Sequence, residues 1–137
     1  MPAEPAEPAA AAREFWTGAL AGFTEPTPLG IARTAAGPDP GPHQLARHAL
    51  PDELVGRLDR FAGAHRLTAG TLLAGAWAVV LGGCSGMDDV VLGVDGLPVR
   101  VRLDWDRPAG EWLAGLQREL ARARAFGSVP LDRVRAW

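Results

Sequence analysis

Three histidines, one cysteine, an acidic pair and a run of arginines are the residues of this 137-residue chain that could support chemistry. His43, His48 and His65 have no second histidine or cysteine at metal-ligand spacing, so none is read as a ligand or as catalytic. His65 falls at an expected helix end, where an imidazolium meets the negative end of the dipole. Gly82-Gly83-Cys84-Ser85-Gly86 fits the Gly-x-Cys-x-Gly spacing of a nucleophile elbow. That geometry requires a helix directly after the nucleophile. Here Met87–Val94 follows with the pattern of a strand, so the run reads as a glycine-terminated helix end with a small buried thiol. Asp88 and Asp89 are adjacent at a strand entrance, where their side chains point apart and suit a cation poorly. Arg118, Arg122 and Arg124 share their segment with Glu119 and read as a solvated helix face with cations in its last turns. No glycine-rich loop with a lysine is available to cradle a phosphate. From the residues alone, no catalytic, cofactor-binding or metal site is expected.

Composition narrows the class further. All 14 cationic side chains are arginine and the formal net charge is −2, which gives no electrostatic case for nucleic acid or an acidic membrane. A single cysteine excludes an internal disulfide and suits a reducing compartment. The N-terminus lacks the basic start and apolar core of a secretory signal, and the apolar run at Leu72–Leu81 is too short to span a bilayer. A soluble cytoplasmic protein without membrane partners is the expectation.

The elements follow from periodicity. Residues 1–9, with their Pro-Ala-Glu repeat, are expected to form a disordered tail, and residues 10–137 one domain. Ala10–Gly22 patterns as a helix with Phe15, Trp16, Ala19 and Leu20 on one face. A proline- and glycine-rich connection follows over residues 24–42, with a short strand possible near Leu29–Ala32. His43–Leu50 reads as a short strand. Pro51 opens a helix with Leu54, Val55, Leu58 and Phe61 as its stripe, ending near His65. Thr68 caps a second helix, Ala69 to about Leu81, that is apolar nearly all round and is expected to be buried. Asp95-Gly96, between the apolar runs Val90–Val94 and Leu97–Leu103, signals a type I′ hairpin, although Pro98 cannot donate to a ladder. Asp106 and Pro108 start a last long helix to about Phe126, and a final turn closes the chain. The class is α/β or α+β, a small mixed sheet packed with about four helices.

Read in order, these segments resemble the C-terminal half of the condensation domains of nonribosomal peptide synthetases, with their chloramphenicol-acetyltransferase-like fold. Glu14–Leu29 resembles the family's aromatic-Trp helix opening with its proline-rich connection. Leu67–Gly93 resembles the helix with an Ala-Trp-Ala core, the Ser-Gly turn and the Asp-Asp-Val-Val strand. Leu97–Leu103 resembles the Pro-x-Arg end of a Gly-Phe-Asn-Thr-type motif, and Ser128–Trp137 an element in which Pro-Leu precedes a short helix.

The resemblance implies as much by its gaps. The family's His-His-x-x-x-Asp-Gly motif belongs to an N-terminal half that has no counterpart here. A longer segment would separate the hairpin strands in the family, so Asp95-Gly96 looks like the repaired end of an internal deletion. The resemblance therefore implies a non-catalytic truncated domain, of an initiation module, that packs on the adenylation domain of the same synthetase. The linker to that domain would begin at Trp137, and the contact would involve Trp105, Arg133, Arg135 and Trp137. Two rival expectations are a half-domain completing a condensation site with another chain, and a self-associating scaffold.

Overall fold

The computed structural model describes residues 6–29 and 45–137. Along these residues run α1 (Ala6–Ala19), α2 (Asp52–His65), α3 (Ala69–Ser85), β1 (Asp89–Val94), β2 (Leu97–Arg102), α4 (Ala109–Ala125) and α5 (Leu131–Arg135). The class is α+β. The two strands are antiparallel, so among the described residues the sheet is not mixed.

Asp95 and Gly96 both take positive φ, 52° and 78°, as a type I′ turn requires. The register pairs Val94 with Leu97 and Leu92 with Val99, so Pro98 opposite Gly93 occupies a position that makes no ladder bond. Its missing N–H therefore costs the hairpin nothing. On one face, Val90, Leu92, Val99 and Val101 are buried against Ala74, Ala78 and Leu81 of α3 and Leu113, Leu116 and Leu120 of α4. On the other, Arg100 lies over the Phe23 ring and donates to the Ala21 carbonyl, which fixes the segment after α1 to the sheet.

Helix ends follow local chemistry. Thr68 Oγ1 accepts from the Thr71 N–H at 3.2 Å and caps α3. At the end of α2, Arg66 takes φ 55°, and the Leu67 N–H reaches the Ala62 carbonyl at 2.9 Å in a Schellman closure. Gln117 of α4 fastens this corner: its Oε1 accepts from the Thr68 N–H at 2.8 Å and the Thr71 hydroxyl at 3.0 Å, and its Nε2 donates to the Arg66 carbonyl. α2 and α3 meet there at 106°. At the opposite end of α4, the buried Trp16 of α1 donates to the Phe126 carbonyl at 3.3 Å, and Phe15 stacks on the Phe126 ring.

Several expectations shift. α1 begins at Ala6, four residues before the expected Ala10, because Ala6–Ala12 is mostly alanine and elongates a helix readily. Residues 1–5 of the expected tail lie outside the described residues, as do residues 30–32 of the possible strand and His43. Residues 45–50, expected as part of a strand, form no regular element; they are exposed and pair with neither strand of the hairpin. α3 runs four residues beyond Leu81, and Cys84 sits half-buried inside it, so no nucleophile elbow forms. The largest correction concerns α3's surroundings. Its inner face is buried, but Leu73, Trp77 and Val80 on the outer face remain 64%, 52% and 49% exposed, because no element among the described residues covers them.

Candidate docking surface

The outer face of α3 is built from Leu73, Trp77 and Val80, spaced i, i+4, i+7 and therefore aligned along the helix. Trp77 also forms one wall of an open groove of about 940 Å³. Its other walls include Leu29, Val91 and Gly93 on the β1 side and Leu131 and Trp137 from the C-terminal segment. A side chain on Gly93 would meet no atom within 4 Å, so the groove is open above β1. The apolar helix face and the groove are thus one continuous surface.

The residues expected at a partner contact are distributed unevenly. Arg135 and Trp137 line the groove, with the buried Val134 anchoring α5 beneath them. Arg133 is exposed on the same short helix. Trp105 is 64% exposed in the turn after β2, where its indole donates to Asp88 Oδ1 at 2.7 Å. Trp105 and Arg133 do not line the groove. The α3 face is one that sequence reasoning misses, because an all-round apolar helix implies a covering layer that the described residues do not supply. The available signal is the element count, two strands and few helices for a helix with no polar side.

The acidic pair resolves into two separate partnerships. Asp88 holds Trp105, while Asp89 receives Arg100 Nε and Nη2, the latter at 2.6 Å, with Arg102 farther off at 3.8 Å. The hydrogen bonds from Arg100 hold the Asp89 carboxyl below its ordinary range; partial burial opposes this, and the charges of Arg100 and Arg102 reinforce it. A depressed folded-state pKa means stability present above the unfolded value and lost as pH falls through the folded value. The stability difference between the parent chain and Asp89→Asn should therefore be full at pH 6 and shrink steadily below about pH 4. Urea midpoints at pH 6 and pH 2.5 read this directly, and a difference that stays constant would show the pair to be idle.

Among the described residues, no three His, Cys, Asp or Glu side chains gather as a metal cluster would require. His65 packs on Phe61, its ring centroid 4.5 Å away, and lies against Gly110 of α4. No single helix among the described residues is long and apolar enough to cross a membrane.

No protein-family profile matches the chain. Individual relatives do. Over 93% of its length the chain is 35% identical to a part of one of the subunits of linear gramicidin synthase from Brevibacillus parabrevis. Another of that synthase's subunits is 33% identical over 92% of the chain, and bacitracin synthase 3 from Bacillus licheniformis is 25% identical over 92%. The chain is related to nonribosomal peptide synthetase subunits. It spans only 2% to 3% of the length of these relatives.

Proposed function

We propose that the chain is a non-catalytic, truncated condensation-like domain that packs against the adenylation domain of the same synthetase and supports it. The uncovered apolar surface of Leu73, Trp77 and Val80, continuous with the groove of Trp137, carries this reading. Tryptophan is among the side chains that carry most of the energy of stable interfaces when a partner excludes water around them, and Leu73 and Val80 add apolar area beside Trp77. Two further points support it. No two histidines of the chain are adjacent, so the His-His-x-x-x-Asp-Gly motif has no counterpart in it. The two-residue Asp95-Gly96 connection leaves no room for the segment that the condensation family carries between these strands.

In this arrangement α3 and the groove seat an apolar patch of the adenylation domain, with Arg135 at the edge and Trp137 as a central anchor. The domain works as a structural cover, and the chemistry belongs to its neighbour. The deciding experiment compares soluble yield and adenylate formation of the adenylation domain, alone and joined to residues 1–137. A loss of severalfold or more in either quantity on deletion is expected, with a similar loss for Leu73→Ser combined with Trp77→Ser. An adenylation domain indifferent to both changes overturns the proposal. Condensation activity that appears only on mixing with a separate N-terminal half would replace it with the complementing half-domain.

A further inference from the structure

The two edges of the hairpin are treated differently. On β1, the outward N–H of Val91 is taken by Thr27 Oγ1 at 3.1 Å. On β2, the register turns the backbone N–H groups of Arg100 and Arg102 outward, away from β1. Among the described residues neither has an acceptor. Of the outward carbonyls on β2, that of Arg102 is taken by the Trp112 indole at 2.8 Å, leaving those of Pro98 and Arg100. The open edge lies in a cleft of about 440 Å³ between α1, β2 and α4.

That cleft is cationic in a chain of net charge −2. Arg100, Arg102, Arg107 and Arg118 line it against a single carboxylate, Glu119. Arg100 is committed to Asp89, and Arg107 pairs with Asp104 at 3.3 Å. Arg102 reaches Asp89 only at 3.8 Å, and Arg118 has no carboxylate partner among the described residues. Glu119 is occupied by Arg122. Two guanidiniums are therefore available above a strand edge that offers two donors and two acceptors.

We infer that this cleft binds an extended acidic peptide segment, which adds as a third strand along β2 between Pro98 and Arg102. Such a strand gains affinity from main-chain bonds and specificity from side chains at alternate positions. A carboxylate at every second residue recurs on one face roughly every 7 Å, so such a strand presents more than one carboxylate to the cleft that Arg102 and Arg118 line. Pro98 ends the usable edge on the turn side, and the Trp112 bond ends it on the other, so the complementary segment is about five residues long. This inference does not depend on the adenylation-support reading, since it concerns the other edge of the sheet and uses none of the same side chains.

The alternative is that Pro98 and the arginines guard an edge against unwanted pairing, which is a common use of both residue types. A fluorescein-labelled Glu-Val-Glu-Val-Glu-Val peptide, titrated with the full chain and followed by anisotropy, separates the two. Saturable binding is expected, weakened tenfold or more when alternate peptide nitrogens are methylated and lost when lysine replaces glutamate. The substitutions Arg102→Gln and Arg118→Glu, both at exposed side chains, should together cost at least tenfold, and Arg118→Glu alone, at a side chain in no ion pair among the described residues, should weaken binding without moving the thermal midpoint. Hydrogen exchange at the Arg100 and Arg102 amides should slow on binding, whether or not those variants fold. Absence of saturable binding, equal binding of the methylated peptide, or unchanged exchange at both amides would overturn the inference in favour of a guarded edge.

Discussion

Trp16→Ala should lower the unfolding free energy by about 4 kcal/mol, within the range for removing a large buried aromatic. Trp16 is 1% exposed and is among the largest fully buried side chains of the described residues. It joins elements far apart in sequence, since its indole N–H closes on the Phe126 carbonyl across 110 residues. The neighbouring Phe15 meets the Trp16 ring edge-on at 4.9 Å and stacks on Phe126 at 4.5 Å, so truncation also loosens an aromatic group that holds α1 to the end of α4. Domains of this size have only about 5–15 kcal/mol in total, so the variant should lose a large share of its denaturant tolerance. Trp16→Phe keeps most of the apolar surface and loses only the hydrogen bond and some volume, for an expected cost of about 2 kcal/mol. Urea midpoints with an unchanged slope measure both. A loss below about 1 kcal/mol for the alanine variant would mean that α1 is not docked in solution.

The second large effect comes from adding atoms. Gly82 lies where α3 passes the hairpin exit, and a Cβ there would overlap the Leu103 side chain and stand 3.0 Å from the Met87 carbonyl oxygen. Leucine can rotate away from a new methyl group, but the Met87 carbonyl is main chain and cannot. Gly82→Val adds a branched side chain against both and should cost about 3 kcal/mol, the upper part of the usual overpacking range. Gly82→Ala is the informative control. Replacing a glycine in the last turn of α3 gains at most about 1 kcal/mol of helix propensity, which offsets part of the overlap. The alanine variant should therefore fall between the parent and the valine variant. If alanine stabilises the chain outright, α3 and Leu103 are less closely packed than their positions here.

How much of this was legible in the residues depends on where the determining interaction lies. The hairpin was, because Asp95-Gly96 encodes its own turn and the flanking alternation fixes which valines face inward. α2, α3 and α4 were, because Pro51, Thr68 and Pro108 mark their starts locally. The strand expected over residues 43–50 was not real where it is described, because pairing depends on an available neighbour and not on the segment's own pattern. The exposure of Leu73, Trp77 and Val80 was equally invisible, since an apolar helix side states a preference for burial but not whether anything arrives to bury it. Gln117 illustrates the same limit for polar groups: nothing at position 117 announces that its amide will satisfy Arg66, Thr68 and Thr71 together. Of the residues expected at a partner contact, Arg135 and Trp137 meet the groove while Trp105 and Arg133 stand apart from it.

The two-residue turn between β1 and β2 also has a kinetic consequence. Strand pairing is ordinarily the slow part of folding a mixed domain, because distant segments must find one another before any contact repays the lost chain entropy. Here the sheet of the described residues is a single hairpin closed by Asp95-Gly96, so its pairing is as local as a sheet allows. Hairpins of this kind form in roughly 1–10 μs. The late event is then the arrival of α1, which must cross most of the chain to place Trp16 against Phe126. The sheet forms early as a platform, and the chain's N-terminal helix closes over it last.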